Sequence, residues 1–499
     1  MGPVLKLRHL LAALAVGCQP SDKGADGSGD GPGGDDTAAS DSGHGGDSGL
    51  TDTSADSGDS GQDCSEVALV APVGVELWVG SRYDLVLSGA ASASLDGGAM
   101  SCEPLDGLLI CPFTPDAAGN PALAAAPTSC PEVALGALSV VVPKGVHPRG
   151  DRLMVGLYSA DETEAATLAD LQAAGVNAIH TYAGQPGLAA WEAEAAGLSL
   201  LYYKYVGSVD DVAAAVADPH AGWWNLPEEL RYWYPDELAL LNELSQALRD
   251  LDDRPVHMYI PGHYTAENIV PYVDALDLIG AGAYVEYSGQ PHVWVRYRVE
   301  SEIEAIETAG YTTDERTPLG VVGVWNSEIY GYPGVPDRTE VVHDHLAALA
   351  AGARGLFTYS WWHAVVDPDV GDSAGGVLEI ASRVSGAEAL GEWILRGEDL
   401  GELSLAVGSG EAELLVTPYG FSEALIYPAV WARAWRHAGA WTIVVVNSSE
   451  SPVSATLSGL PGSRAERVYD GLVETVTDGA LTLSLDRLEA RVYRVVETL

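Results

Sequence analysis

At 499 residues the chain is longer than one ordinary domain, and a hydrophobic share of 47% is enough to build sizeable cores. Its 71 acidic against 25 basic residues give a formal charge of −46. That balance excludes nucleic acid and an anionic membrane surface as partners, because both recruit basic patches, and it leaves neutral glycans open.

The N-terminus reads as an export signal. Lys6, Arg8 and His9 precede the apolar run 10–16, which is far too short to span a bilayer. No later segment reads as a transmembrane helix. The small residues leading into Cys18 resemble a bacterial lipoprotein signal. That resemblance implies a signal peptide over 1–18, with Cys18 as the lipidated first mature residue. It also implies an exported lipoprotein of the outer membrane or cell surface, touching the membrane only through its anchor. The other reading is an ordinary secretory signal with an incidental Cys, hence a secreted protein.

Residues 19–63 are Gly, Asp, Ser and Thr with no aromatic residue. Such a stretch cannot bury enough apolar surface to offset its ordering entropy, so a disordered, self-repelling acidic linker is expected. Within it Asp26, Ser28, Asp30 and Gly31 imitate the start of a calcium loop, but the closing Glu is missing.

Over 64–148, strand-like runs at 75–79, 83–87, 108–111 and 138–142 are punctuated by Gly, Pro and Asp. This is expected to be a small β module. Cys64, Cys102, Cys111 and Cys130 fall here, an even set that suits two disulfides in an exported chain. Three pairings are possible; the expected one joins Cys102 to Cys111 across a hairpin and Cys64 to Cys130 around it. The absence of a CxxC pair weighs against zinc.

From 151 to 396, apolar runs alternate with helix-like stretches. The runs lie at 153–158, 178–182, 198–205, 223–226, 256–260, 276–284, 319–325 and 355–361; 165–174, 236–250 and 338–351 are amphipathic. Eight strand–helix alternations over roughly 245 residues are the arithmetic of an α/β fold, the (β/α)8 TIM barrel. An open doubly wound sheet would also alternate, but no Gly-rich phosphate turn follows the first strand. From about 398 to 499 the period becomes two, at 403–407, 413–417, 430–436, 441–447 and 491–495, which reads as a β-sandwich.

Barrel active sites sit at the C-terminal ends of the strands. Here those ends are rich in aromatic and polar groups, and the candidate ligand-binding residues are Tyr182, Tyr205, Trp224, Asn225, His263, Tyr284, Trp325, Trp361 and His363. The fourth end, AGWWNLPEEL, sets Trp223 and Trp224 before Glu228 and Glu229. Aromatic faces stack on sugar rings, and an apolar wall raises a carboxyl pKa so that it can give up a proton near neutrality. Glu229 is expected to be a first-turn helix acid. His180, His263 and His363 suit hydrogen bonds to hydroxyls rather than a metal, for which no HExxH-like spacing exists. His343 and His345, two apart on a helix, should face different ways and be solvated. Asp367, Asp369 and Asp372 are read as shaping a turn rather than holding Ca²⁺. No cofactor and no metal is expected.

GWWNLPEE, LDLIGAGAY, GARGLFTYSWW and WTIVVVNSSE, in that order, resemble the clan A glycoside hydrolases with a C-terminal β-sandwich. The resemblance covers about two-thirds of the chain. It implies an acid/base at Glu228, a sixth-strand Tyr at Tyr284, a sugar platform at Trp361 and a nucleophile at Glu328, with Glu286 the alternative second carboxylate. Pro227 stands where the family has an Asn or Asp, and Asn225 lies two residues off. The implied activity is a surface-anchored, retaining hydrolysis of a poly- or oligosaccharide through two carboxylates. The alternatives are a non-catalytic glycan-binding lipoprotein on the same barrel and an adhesive protein in which the β modules matter.

Overall fold

In the computed structural model, described for residues 66–497 except 129, 148–149, 159–164, 181–187, 325–335, 362–371, 387 and 389, the eight apolar runs form eight parallel strands. They are β1 (Met154–Tyr158), β2 (Ala178–His180), β3 (Leu201–Tyr205), β4 (Ala221–Asn225), β5 (Val256–Ile260), β6 (Leu278–Ala283), β7 (Thr317–Gly323) and β8 (Gly355–Tyr359). Each pairs with its neighbour in sequence, and β8 returns to pair with β1, closing the barrel. The helices are α1 (Ala165–Ala174), α2 (Leu188–Gly197), α3 (Val209–Val216), α4 (Pro235–Arg249), α5 (Ala266–Val273), the single turn α6 (Val285–Ser288), α7 (Trp294–Thr308), α8 (Arg338–Ala351), α9 (Ser373–Ser385) and α10 (Leu390–Arg396).

Local chemistry explains where these helices start and stop. α4 opens on Pro235 with Asp236 and Glu237 in its first turn and closes with Arg249, matching the helix dipole at both ends. α8 carries a capping box: Asp337 accepts from the Glu340 N–H at 2.9 Å, and Glu340 accepts from the Asp337 N–H at 2.7 Å. Gly352, at φ +111°, ends it in a left-handed conformation that a side chain would strain.

The barrel interior is filled rather than hollow. Met154, Tyr158, Tyr203, Trp223, Leu319, Val321 and Phe357 pack there as one cluster. A Cβ on Gly156 would collide with the Phe357 ring, so the missing side chain on β1 makes room for the large one on β8. Between strands and helices lies a second, larger apolar layer that includes Trp224, Leu241, Ile269 and Leu346.

Residues before the barrel form antiparallel sheets. One four-stranded sheet joins Ala68–Ala71, Tyr83–Ser88, Leu108–Phe113 and Glu103–Leu105; another joins Gly98–Ala99, Ser92–Leu95, Ala122–Ala126 and Val133–Ala137. Cys102 and Cys111 are disulfide-bonded next to the Glu103–Leu105/Leu108–Phe113 pair, with Cα atoms 4.2 Å apart. Cys130 is also disulfide-bonded; its expected partner Cys64 lies outside the described residues, as do Cys18 and the whole of 1–63. No described helix is long and apolar enough to cross a membrane.

After α10 the chain builds a six-stranded antiparallel sheet from Glu398–Glu402, Val430–His437, Ala440–Asn447, Ala490–Val496, Arg464–Arg467 and Val473–Thr475. A three-stranded sheet of Leu405–Ser409, Val453–Ser458 and Ala480–Leu485 packs on it through Ile443, Val445, Leu457 and Leu483. One buried carboxylate ties three parts of the chain together. Glu392 on α10 accepts from the Tyr83 hydroxyl at 2.6 Å, pairs with Arg396 at 3.2 Å and faces His437 Nε2 at 3.5 Å.

Candidate active site at the barrel mouth

Strand parity decides which side chains reach the barrel axis. On β1 the inward residues include Met154 and Tyr158, and on β4 Trp223 points in and Trp224 out. Trp223 stacks on Tyr203 with ring centroids 4.9 Å apart. Above this layer the strand ends contribute an aromatic collar. Tyr158 lies 4.1 Å from the His180 ring and 5.9 Å from Tyr359; Tyr359 stacks on Tyr284 at 5.3 Å, and Tyr284 on Tyr259 at 6.2 Å. Tyr284 fits because its neighbours lack side chains: a Cβ on Gly323 would come within 2.8 Å of its ring, and one on Gly282 would strike both it and the Tyr259 hydroxyl.

Glu228 stands in this collar, three residues after β4. Its Oε1 is 3.3 Å from Nε2 of the buried His180 at the end of β2, and its side chain keeps 20% exposure. The Tyr158, Tyr205 and Tyr259 hydroxyls all feel its charge. Burial first, then Glu228, pushes the Tyr158 hydroxyl well above its ordinary range, so it remains a proton donor. That hydroxyl is buried without a hydrogen-bond partner among the described residues. The arrangement therefore offers a carboxyl group, an imidazole beside it and an unsatisfied O–H donor, all walled by aromatic rings. This suits proton delivery to a ligand oxygen with hydrogen bonding next to it.

The other sequence candidates divide clearly. Tyr205 is 37% exposed and Tyr284 is partly exposed in the collar. His263 is exposed after β5, edge-on to Tyr264 at 4.8 Å and to Tyr419 of the C-terminal region at 5.6 Å; burial, then Arg298, holds its pKa below the ordinary histidine value. Asn225 points into the barrel, is 2% exposed, and its Oδ1 meets His257 Nδ1 at 3.3 Å. Glu328, Tyr182, Trp325, His363, Asp367 and Asp369 lie outside the described residues.

Several expectations need correction. Trp224 is fully buried between strands and helices with the Arg254 guanidinium 4.3 Å from its ring, so it offers no face to a ligand. The one-residue phase of a strand sent it outward and Trp223 inward. Trp361 is 3% exposed and belongs to the same outer layer, so the platform role expected of it does not match its packing. Glu229 does not open a helix: α4 begins at Pro235, and Glu229 sits in the loop at φ +56°. Although the residue is exposed, its carboxyl lies among enough protein atoms that desolvation, followed by Glu228, raises its pKa. His343 and His345 do face different ways, but both are buried. His345 reaches Val341 O at 2.7 Å and Thr358 Oγ1 at 2.8 Å. Asp372 makes an ion pair with Arg338 at 3.4 Å.

Glu286 follows β6 as Glu228 follows β4, yet it is directed elsewhere. Its charged neighbours are Asp344, His292 and Glu340, not Glu228, and burial, then Asp344, pushes its carboxyl up to about 8. It is part of the packing around α8. Sequence reasoning gave no role to Tyr158, Tyr259 and Tyr359. Alternation counted back from the strand ends, Met154-x-Gly156-x-Tyr158 on β1, is the signal that finds the first of them.

No protein-family model matches the chain, and no curated protein matches it. Among solved structures, an α-galactosidase/melibiase assignment from Bacteroides fragilis superposes with a TM-score of 0.46 at 13% identity, over 86% of this chain and 97% of that one. The α-amylase of Geobacillus thermoleovorans complexed with acarbose gives 0.46 at 9% identity, over 70% and 99%. A GH27 β-L-arabinopyranosidase of Geobacillus stearothermophilus, in complex with arabinose, gives 0.43 at 9%, over 70% and 98%. Likeness at this level carries no weight for activity, and the barrel rests on its own strand pairing.

Proposed function

We propose that this protein is a glycoside hydrolase whose acid/base is Glu228 and whose second carboxylate is Glu328. The observation that supports this reading best is the Glu228 carboxyl at the mouth of the closed barrel, 3.3 Å from His180 and facing the tyrosine collar. The chemistry needs one carboxylic acid to protonate the leaving oxygen and one carboxylate to attack the anomeric carbon or activate water. Tyr205, Tyr284 and His263 then line the sugar site, with the Tyr158 hydroxyl as a donor that a sugar oxygen satisfies. The sequence supports a lipid anchor at Cys18 and a place on the bacterial surface, where a neutral polysaccharide is the substrate a strongly acidic enzyme meets without repulsion.

One observation favours the second reading, a barrel that binds glycans without cleaving them. Asn225, the only carboxamide on β4, is buried against His257 instead of standing at the mouth, and Pro227 precedes Glu228. A screen of the full chain against a panel of polysaccharides and aryl glycosides separates the two. Release of reducing sugar that disappears in both Glu228→Gln and Glu328→Gln supports the hydrolase. Saturable glycan binding without release, unchanged by either substitution, selects the binding protein.

A further inference from the structure

Away from the mouth, α8, the segment after β6 and the C-terminal sheets meet at a buried polar cluster. His292 Nδ1 and His343 Nδ1 both approach the same oxygen, Asp344 Oδ1, at 2.8 and 2.7 Å. One ligand-type atom from each of the three residues lies within 4.8 Å of the others. The side chains are 7%, 0% and 4% exposed for His292, His343 and Asp344. The outward nitrogen of His343 is held as well, its Nε2 meeting Ser448 Oγ at 2.9 Å, while His292 Nε2 faces the Glu450 carboxylate at 3.7 Å, beyond hydrogen-bond distance. An imidazole turned inward by an oxygen partner on its far nitrogen, as His343 is by Ser448, is the arrangement that fixes tautomer and ring direction in metal-binding histidines.

A second observation points the same way. Glu286 is buried, and both of its carboxyl oxygens lack a hydrogen-bond partner among the described residues. Its strongest charged neighbours are Asp344 and His292. A buried, unsatisfied carboxyl group within electrostatic reach of a second buried carboxylate is costly unless protons or a cation compensate the pair.

We infer that His292, His343 and Asp344, with the neighbouring Glu286 swinging in as the fourth donor, form a divalent-metal site of the zinc class that ties α8 to the segment after β6. The donor set is two nitrogens and two oxygens. Imidazole donors select zinc-like transition ions over Ca²⁺ and Mg²⁺, which favour all-oxygen cages. Four protein donors leave no position open for a reacting water, so the role is structural. With the ion bound and both histidines deprotonated, two carboxylates and a divalent cation balance in charge; in the empty cluster the proton on His292 takes the ion's place. Glu450, with its side chain 60% exposed, marks the solvent side through which an ion reaches the cluster. The donors come from α6, the segment just before α7, and α8, so ligation in one place ties together segments more than fifty residues apart in sequence, with Ser448 of the C-terminal region behind His343.

The test uses the full chain, stripped with a chelator and titrated with Co²⁺ alone at pH 7.5. The expected result is a tetrahedral d–d absorption band saturating near one equivalent, abolished by one equivalent of Zn²⁺, together with a rise in melting temperature. Glu286→Gln removes a carboxyl group that has no hydrogen-bond partner in another described residue, so this variant should fold while binding Co²⁺ about 10–100-fold more weakly. Asp344→Asn should lose the band. If Asp344→Asn fails to fold, Glu286→Gln alone decides. Absence of the band in the folded wild-type protein overturns the inference and leaves protons as the cluster's only counter-charge. A band of unchanged affinity in Glu286→Gln overturns it too, because the ion then sits elsewhere, such as on the acidic 19–63 stretch.

Discussion

Glu228 and Glu286 each stand three residues beyond a barrel strand, β4 and β6, and each lies near a histidine. Their fates differ. Glu228 remains at the open mouth, because the chain after it passes through Glu229 at φ +56° and runs on as an exposed aromatic loop that includes Trp233 and Tyr234. Glu286 is carried by the turn α6 towards α8 and the segment around His292, where burial keeps its carboxyl from ionising readily. The lesson is that position along a barrel strand nominates a carboxylate, while the following half-turn of backbone decides whether it meets ligand or protein. The histidine partners differ in the same sense. In the cluster around α8, burial pulls the His292 pKa down but Asp344 outweighs it and holds it up at about 9. Within the barrel, His257 has no such carboxylate, and burial, then His180, keeps it neutral and well below its ordinary value.

Breaking the buried cluster should produce the largest stability change. Asp344→Asn removes the acceptor shared by two histidines, and loss of one partner from a buried charged group costs about 3–5 kcal/mol. Urea denaturation reads it directly, and an unchanged midpoint would erase the distinction drawn between the two regions. Gly323→Ala attacks the mouth sterically, since the new methyl meets the Tyr284 ring; about 1–3 kcal/mol of destabilisation is expected in the same assay.

The histidine contrast gives a pH test. A histidine whose folded pKa is lowered contributes stability that is present above its unfolded value, near 6.5, and is lost as pH falls below it. Between pH 6.5 and 5, His257 should therefore add a slope of up to about 1.4 kcal/mol per pH unit. His257→Asn should flatten the decline of the urea midpoint over that range. Equal slopes in the two proteins would mean that His257 is not held neutral. The smallest effect expected is at Tyr205: its exposed ring at the mouth should, as Tyr205→Ala, raise KM about 2–10-fold, from the roughly 0.5–1.4 kcal/mol of one aromatic contact, with kcat little changed.

Much of the fold is legible in the sequence because period and punctuation are local signals. All eight barrel strands occur where apolar runs predicted them, with β5 matching at both ends and β2, β7 and β8 ending two residues early. The alternation in 430–436 and 441–447 likewise found two adjacent interior strands of the six-stranded sheet. Short strands with small residues, such as Ala122–Ala126 and Val133–Ala137, gave no alternating apolar pattern and were missed. The site was harder to read. Trp224 was chosen over Trp223 because face assignment flips with a one-residue change of phase, and a run of two tryptophans does not reveal its phase. His343 looked solvated because the serine that covers it, Ser448, is 105 residues away in sequence. Glu286 looked like an alternative second carboxylate at the mouth for the same reason: what buries it belongs to α8 and the segment around His292. Glu228 itself was found because two tryptophans and a proline-bounded carboxylate at a strand end form a local pattern.

The central claim is that Glu228 delivers a proton to a departing sugar oxygen, and leaving-group dependence tests it most directly. On a glycoside that the wild-type protein cleaves, Glu228→Gln should lose about 10²–10⁴-fold in kcat/KM when the leaving group is another sugar. With a nitrophenolate that departs without protonation, the loss should shrink to less than about 10-fold, because the general-acid contribution is then not needed. Equal losses on both substrates, or no loss on either, would contradict the assignment of Glu228 as the acid.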